Sequence, residues 1–362
     1  MSDKILKVGV VGCGGIANGK HLPALSNIKE VELVAFCDII LEKAEEAAEK
    51  YGVEGAKSYK DYKEFLKDND LDVVHVCTPN KSHSEITVAS LEAGSHVMCE
   101  KPMAKTSEEA KAMIDAAKRT GKKLAIGYQY RMGKGALYLK QVCDRGDLGE
   151  IYYAKARALR RRAVPTWGVF LNEEEQGGGP LIDIGTHALD MTLWMMNNYE
   201  PEMVVGTKYH KLGPNANSAN AWGPWDPKEF TVEDSAFGFI KMKNGATIVL
   251  ESSWALNMID VGEAQTVLCG TKAGADMLDG LRINGEDMQK MYIKTPDLAS
   301  GGVAFFDGDG GDTPSDIEAR LWIDAILKDT DPVVLPEQAF VVTQILEAIY
   351  ESAETGKPVY FN

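Results

Sequence analysis

Three constellations in this sequence carry residue types that can do chemistry. The first is Gly12-Cys13-Gly14-Gly15-Ile16-Ala17, a G-x-G-x-x-A turn directly after the apolar, β-branched run ILKVGVVG. In such a turn the first glycine allows a tight reversal, the second lets backbone approach a pyrophosphate, and the small third residue packs helix on strand. An anion there meets the N–H groups of a helix N-terminus. Asp38 follows about twenty residues later, at the end of the run VELVAFCD. Its carboxylate can accept hydrogen bonds from both ribose hydroxyls and repels a 2′-phosphate, and the next residue is Ile39 rather than an arginine that would hold one. Gly12, Gly14, Gly15, Ile16, Ala17 and Asp38 therefore predict a dinucleotide site that takes NAD rather than NADP.

The second constellation is VMCEKPMAK, residues 97–105, which puts Glu100 and Lys101 side by side where a buried strand should stop, with Pro102 restricting the exit. The third is GGGPLIDIGTHALDMTLW, residues 177–194. Asp183 and His187 are four apart and Asp190 comes three later, so a helix would line all three along one face. Two readings stand open. In one, Asp183 caps the helix and His187 is a satisfied, partly buried histidine; in the other, the glycine run brings backbone close to a cofactor or substrate and this face lines a site.

The elements around these residues indicate how they are positioned. Through about residue 128 the strand-like runs alternate with helix formers: VELVAFCD, LDVVHVCTPN, HVMCEKP and KLAIGY are separated by LEKAEEAAEKYG, EITVASLEAG and a helix from Ser107 to Gly121. That alternation predicts right-handed crossovers and a parallel sheet covered on both faces. Ligands gather beyond the carboxyl ends of such strands, which would deliver Glu100 and Lys101 to the cofactor crevice. Beyond residue 128 come long strand-like runs, two of them joined by Asn244-Gly245, a strong hairpin signal. The expected architecture is α/β: a dinucleotide-binding domain over 1–128, and a second α/β domain over 129–362 with a large, open, mostly antiparallel sheet.

Composition removes other classes. At 44% hydrophobic and 26% charged over 362 residues, the chain reads as a globular protein of two domains, and no run approaches the roughly 18 apolar residues of a membrane span. A formal charge of −15 repels nucleic acid and anionic membranes. The six cysteines lie far apart with no C-x-x-C, so neither a disulfide framework nor a zinc site is expected, and the cytoplasm is the expected location. The acidic run FDGDGGDTPSD places Asp307 and Asp309 at calcium-loop spacing, with Glu318 two residues beyond its end at the twelfth position. Gly311 and Asp312 break the required pattern, so it reads as a polar loop and no metal is expected.

With GCGGIA, CTPNKSH, EKP and DIGTH in this order, the sequence resembles the glucose-fructose oxidoreductase and inositol dehydrogenase family, often called Gfo/Idh/MocA, over essentially the whole chain. The resemblance implies a Rossmann domain, an open-sheet second domain, a nicotinamide cofactor, oxidation of a secondary alcohol on a sugar, glycoside or cyclitol, and a homo-oligomer. Carried over by motif, Lys101 resembles the catalytic lysine, His187 the acid/base histidine and Asp183 a substrate-hydroxyl anchor. Thr78, Pro79, Asn80, His83, Glu100 and Lys101 match cofactor-contacting positions. Tyr128, Arg161 and Trp167 join Asp183 and His187 as expected substrate contacts.

Hydride leaves a carbinol carbon only if the hydroxyl loses its proton, so a base must sit near the oxygen. An imidazole starting near pKa 6.5 needs little tuning, whereas a lysine starting near 10.4 acts more readily as an electrostatic partner. His187 is therefore the expected base and Lys101 the group that polarises the oxygen. The loop LRRRAVPTWGVFLNEEEQGGG resembles those of members that oxidise pyranosides at C3: Trp167 could stack on a sugar face and the arginines bond hydroxyls. The alternative is a solvated charge run beside a core tryptophan. A second loop, 213–230, holds Trp222 and Trp225 among turn formers and is expected over the pocket or at a subunit contact. A cyclitol dehydrogenase and a non-catalytic NAD-binding sensor are the competing functions.

Overall fold

The computed structural model describes residues 4–298 and 312–361. Asp307, Asp309 and Gly311 of the acidic run lie outside them. The chain packs as two units. The first is Met1–Gln129 with the described part of Gly308–Phe340, and the second is Tyr130–Asp307 with Val341–Asn362, again over its described part.

The first unit holds a six-stranded sheet: β1 (Leu6–Val11), β2 (Val31–Cys37), β3 (Lys57–Tyr59), β4 (Val73–Val76), β5 (His96–Cys99) and β6 (Leu124–Ile126). Every pairing is parallel and the spatial order is β3-β2-β1-β4-β5-β6. This is the doubly wound order in which the crevice opens where the chain reverses direction, beside β1 and β4. The continuous apolar runs follow from burial on both faces: Leu6, Val8 and Val10 of β1 and Val73, Val74 and Val76 of β4 are all fully buried.

The expected single boundary after residue 128 needs correction, because a later segment returns to the first unit. Helix Pro314–Leu327 sends Ala319, Trp322 and Ile323 into the same core as Leu22, Leu25 and Ile28, and Arg320 donates to Glu30 at 2.9 Å. The helix packs against the helical segments Ala17–His21 and Leu22–Ser26, which follow the glycine turn. Chain order alone does not say which core its apolar positions enter.

The second unit is built on nine strands: β7 (Ile151–Leu159), β8 (Pro201–Tyr209), β9 (Ser235–Met242), β10 (Thr247–Ser253), β11 (Gly262–Gly270), β12 (Ala273–Asp276), β13 (Arg282–Asp287), β14 (Lys290–Lys294) and β15 (Val359–Tyr360). Their order is β14-β13-β12-β11-β7-β10-β9-β8-β15, antiparallel except for the β7–β10 pair. The Asn244-Gly245 turn joins β9 to β10 as expected, with Gly245 at φ +89°. One face is packed by the helix Thr186–Met196, buried at ten of its eleven positions, and by Ile349, whose side chain meets the backbone at Gly206 and Gly238. Among the described residues no helix is long and apolar enough to cross a membrane.

Candidate active site

In the first unit the glycine turn leaves β1 with Gly12 at φ +90°, where a Cβ would lie 2.7 Å from the Cys77 carbonyl carbon and 2.8 Å from Thr78 N. Only glycine allows β1 to turn this close to the end of β4. Gly14 and Gly15 face open space, and Ala17 is fully buried against the sheet. Asp38 holds this loop. Its Oδ2 accepts from Cys13 N and its Oδ1 from Ile40 N, both at 2.9 Å.

Beyond β4, the buried Thr78 hydroxyl has no hydrogen-bond partner among the described residues, and Pro79 leads into the short turn Asn80–Ser82. His83 is fully buried. Its Nδ1 lies 2.8 Å from Pro102 O and its Nε2 2.9 Å from Thr78 O, so one imidazole ties the loops after β4 and β5 together. Burial pushes its pKa down while the two carbonyls push back, and the net direction is down. Lys101 is half-buried after β5, with a cis bond to Pro102. The sequence puts Glu100 toward the cofactor; in the structure it is 4% exposed and both oxygens bond within the unit. Tyr128, an expected substrate contact, is a buried side chain of this unit.

In the second unit Asp183 sits on a π-helical turn, Leu181–Gly185, that runs into the helix Thr186–Met196. Its Oδ2 accepts from the Trp254 indole N–H at 3.0 Å, which fixes the orientation of the carboxylate. His187 is 6% exposed and packs edge-to-face on Tyr130, ring centroids 4.7 Å apart. Asp190 shares that face but has a different partner. Arg131 donates Nε to Oδ2 at 2.9 Å and Nη2 to Oδ1 at 2.6 Å, both side chains are buried, and the guanidinium lies 5.2 Å from the Trp194 ring.

The glycine run before Asp183 approaches protein rather than ligand. A Cβ at Gly178 would meet Tyr350 Oη at 2.0 Å, and one at Gly179 would meet Glu233 O at 2.2 Å. Glu233 in turn accepts from Gly179 N, Leu181 N and Tyr350 Oη, anchoring the start of the turn that carries Asp183.

The arginine loop divides in the same way. Arg160 binds Glu263 through two nitrogens, Arg162 donates to Asn257 Oδ1 at 2.6 Å, and Arg161 is exposed. Trp167 is no core residue: it is 52% exposed and stands edge-on to Trp222, 44% exposed, at 4.9 Å. Trp225 is buried and pins its loop by donating to Gly213 O, while Asn220 bonds both N and O of Val164, so the 213–230 loop is fastened to the arginine loop.

Comparison with known proteins places this arrangement. Residues 6–128 match the oxidoreductase family with an NAD-binding Rossmann fold, and residues 136–276 match the GFO/IDH/MocA C-terminal domain. A D-glucoside 3-dehydrogenase from Escherichia coli is 38% identical over 359 residues, 99% of this chain and 98% of that protein. The chain belongs to the Gfo/Idh/MocA family. An inositol 2-dehydrogenase from Salmonella typhimurium is 34% identical over 53% of this chain and 55% of that one. A levoglucosan dehydrogenase solved with NADH superposes with a TM-score of 0.81 at 24% identity, covering 99% of this chain and 100% of that chain; at that identity it speaks for the fold alone.

This Gfo/Idh/MocA chain is an NAD-dependent oxidoreductase with an NAD-binding Rossmann unit. Its residues fit the cofactor: Gly14 and Gly15 leave backbone open to an anion, Asp38 stands at the end of β2, and the Thr78 hydroxyl lacks a partner among the described residues. Sequence reasoning missed Lys20, His21 and His75, all buried beneath the glycine turn. A signal was available, since Lys20 and His21 fall three and four residues after Ala17, on the helix face that must pack on the sheet.

Proposed function

We propose that the enzyme uses NAD to oxidise a secondary hydroxyl of a glucoside, with C3 of a D-glucopyranoside as the reacting carbon and a 3-keto-glycoside as product. The observation that carries the substrate is the 38% identity, along almost the whole of both chains, to a D-glucoside 3-dehydrogenase. His187 takes the hydroxyl proton, Lys101 polarises the same oxygen, and Asp183, oriented by Trp254, accepts from a neighbouring hydroxyl. Bound NAD supplies the hydride acceptor. The half-exposed indole of Trp167 offers a surface for the apolar face of a pyranose, and Arg161 offers N–H donors to sugar hydroxyls.

The test is NADH formation from methyl glucosides, glucose, levoglucosan and myo-inositol under one set of conditions, with a glucoside deuterated at C3. Glucosides are expected to turn over with a primary isotope effect at C3. Faster turnover of myo-inositol than of any glucoside would favour the cyclitol reading that the inositol 2-dehydrogenase similarity supports. NAD binding with no turnover of any polyol would leave a sensor, a role that has no need for Lys101, Asp183 and His187 together.

The second unit also offers a surface for self-association. Val205, Phe239, Val249, Lys155 and Val267 lie in register across five neighbouring strands on the sheet face opposite the helix. Flanking rows add Met203, Tyr153 and Phe237, all partly exposed. A second copy of this chain would cover that face. Light scattering should report an oligomer that Phe239→Lys dissociates, and an unchanged mass for the variant would rule this face out. The six cysteines, none of them disulfide-bonded, accord with a reducing compartment such as the cytoplasm.

A further inference from the structure

Five ionisable side chains are packed together under the end of β5. Glu100 Oε1 accepts from Lys20 Nζ at 2.7 Å and bonds His21 Nε2 at 2.8 Å. Lys20 Nζ also meets Glu318 Oε2 at 2.8 Å and donates to Gln129 Oε1 at 3.2 Å. His21 Nδ1 lies 2.9 Å from His75 Nδ1. Lys20, His21, His75, Glu100 and Glu318 are each at most 6% exposed. Gly127, at the end of β6, leaves the room they occupy, since a Cβ there would lie 3.1 Å from Glu100 Oε1 and 3.2 Å from Lys20 Nζ.

Stability does not explain such a cluster. Desolvating several charges costs about as much as their attraction returns, and apolar residues of the same volume would hold a core at least as well. A buried network instead selects one geometry for the groups it holds. Burial opposes both ions of the central pair, yet the charges of its partners hold Lys20 above the usual lysine range, and Lys20 with His21 holds Glu100 well below the usual carboxylate range. What the cluster leaves for Glu100 Oε2 is the backbone N–H of Lys101, which donates to it at 3.0 Å. Glu318 arrives from the helix Pro314–Leu327, outside both family-matched segments.

We propose that Lys20, His21 and Glu318 are positioning residues for Lys101. They fix the Glu100 carboxylate, which holds the Lys101 amide and so sets where Lys101 leaves the strand. This rests on the reading of Lys101 as the group that polarises the substrate oxygen.

The experiment combines two measurements on His21→Leu, His21→Gln and Glu318→Gln. In the NAD-free protein, hydrogen exchange at the Lys101 amide should accelerate at least tenfold in His21→Leu and less in His21→Gln, whose side-chain amide can donate to the same oxygen. With NAD and a turned-over glucoside, His21→Leu should lower kcat at least tenfold with KM for NAD within twofold, and His21→Gln should recover most of the loss. Made in a Lys101→Met background, His21→Leu should change the residual single-turnover rate by less than twofold. An equal effect of His21→Leu in both backgrounds, a loss confined to KM, or an unchanged Lys101 amide overturns the positioning role. Full activity of Lys101→Met alone overturns the catalytic reading instead. Should His21→Leu not fold, Glu318→Gln answers the same questions, with unchanged exchange and kcat again overturning the role.

Discussion

His187→Ala is expected to lower the single-turnover rate of NADH formation about 10²–10⁴-fold at saturating glucoside, the usual contribution of a positioned general base. The hydroxyl proton has to leave as the hydride does, and water in place of the imidazole is neither as basic nor held in place. The change should fall on kcat and spare NAD affinity, because His187 belongs to the second unit and the glycine turn, Asp38 and Thr78 to the first. Lys101→Met should likewise lower kcat strongly if Lys101 has its proposed role, because the substitution removes the group proposed to polarise the substrate oxygen. Stopped-flow absorbance with NAD binding measured alongside decides both. A variant within twofold of wild type loses its assigned role.

Arg131→Met is expected to lower stability by about 3–5 kcal/mol at pH 7, the cost of leaving a buried charge without its partner. Asp190 accepts both arginine hydrogen bonds and is 1% exposed, so water cannot replace the guanidinium. Even with Arg131 present, burial outweighs the guanidinium and holds the Asp190 pKa above the usual aspartate value. Without Arg131 only burial remains and the pKa rises further. A carboxyl whose folded pKa exceeds its unfolded one binds its proton more tightly in the folded state. Stability therefore rises as pH falls through the folded pKa toward the unfolded one, and the deficit should be smaller at pH 5 than at pH 7. Urea midpoints at the two pH values check this sign. Arg131→Met/Asp190→Leu should regain most of the loss, and a double variant as unstable as the single one would refute the ion-pair account.

That pair shows where sequence spacing stops being informative. Asp183 and Asp190 lie on the same predicted face around His187, and spacing treats them alike. The fold separates them: Trp254 holds one oxygen of Asp183, while Arg131 takes both oxygens of Asp190. Trp254 and Arg131 are each more than fifty residues from the aspartate they meet, and no local rule pairs them. Gly178 and Gly179 belong to the same kind of case. That backbone there must approach something closely is legible, and that the something is Tyr350 and Glu233 is not.

What the sequence by itself determined is what local physics determines. Gly12 is needed because the turn takes φ +90° within van der Waals reach of β4, and the β-branched runs become strands because both faces of a parallel sheet are buried. The glycine turn, the alternating α/β pattern and the antiparallel second sheet follow from such rules, and the order of motifs carries the resemblance to the family. Only the tertiary structure decided that the helix Pro314–Leu327 completes the first unit, that Glu100 turns inward to Lys20 and His21, and that Trp167 is exposed. Each of those outcomes depends on residues distant in sequence competing for the same space or the same hydrogen bond, and that competition is settled only when the chain is folded.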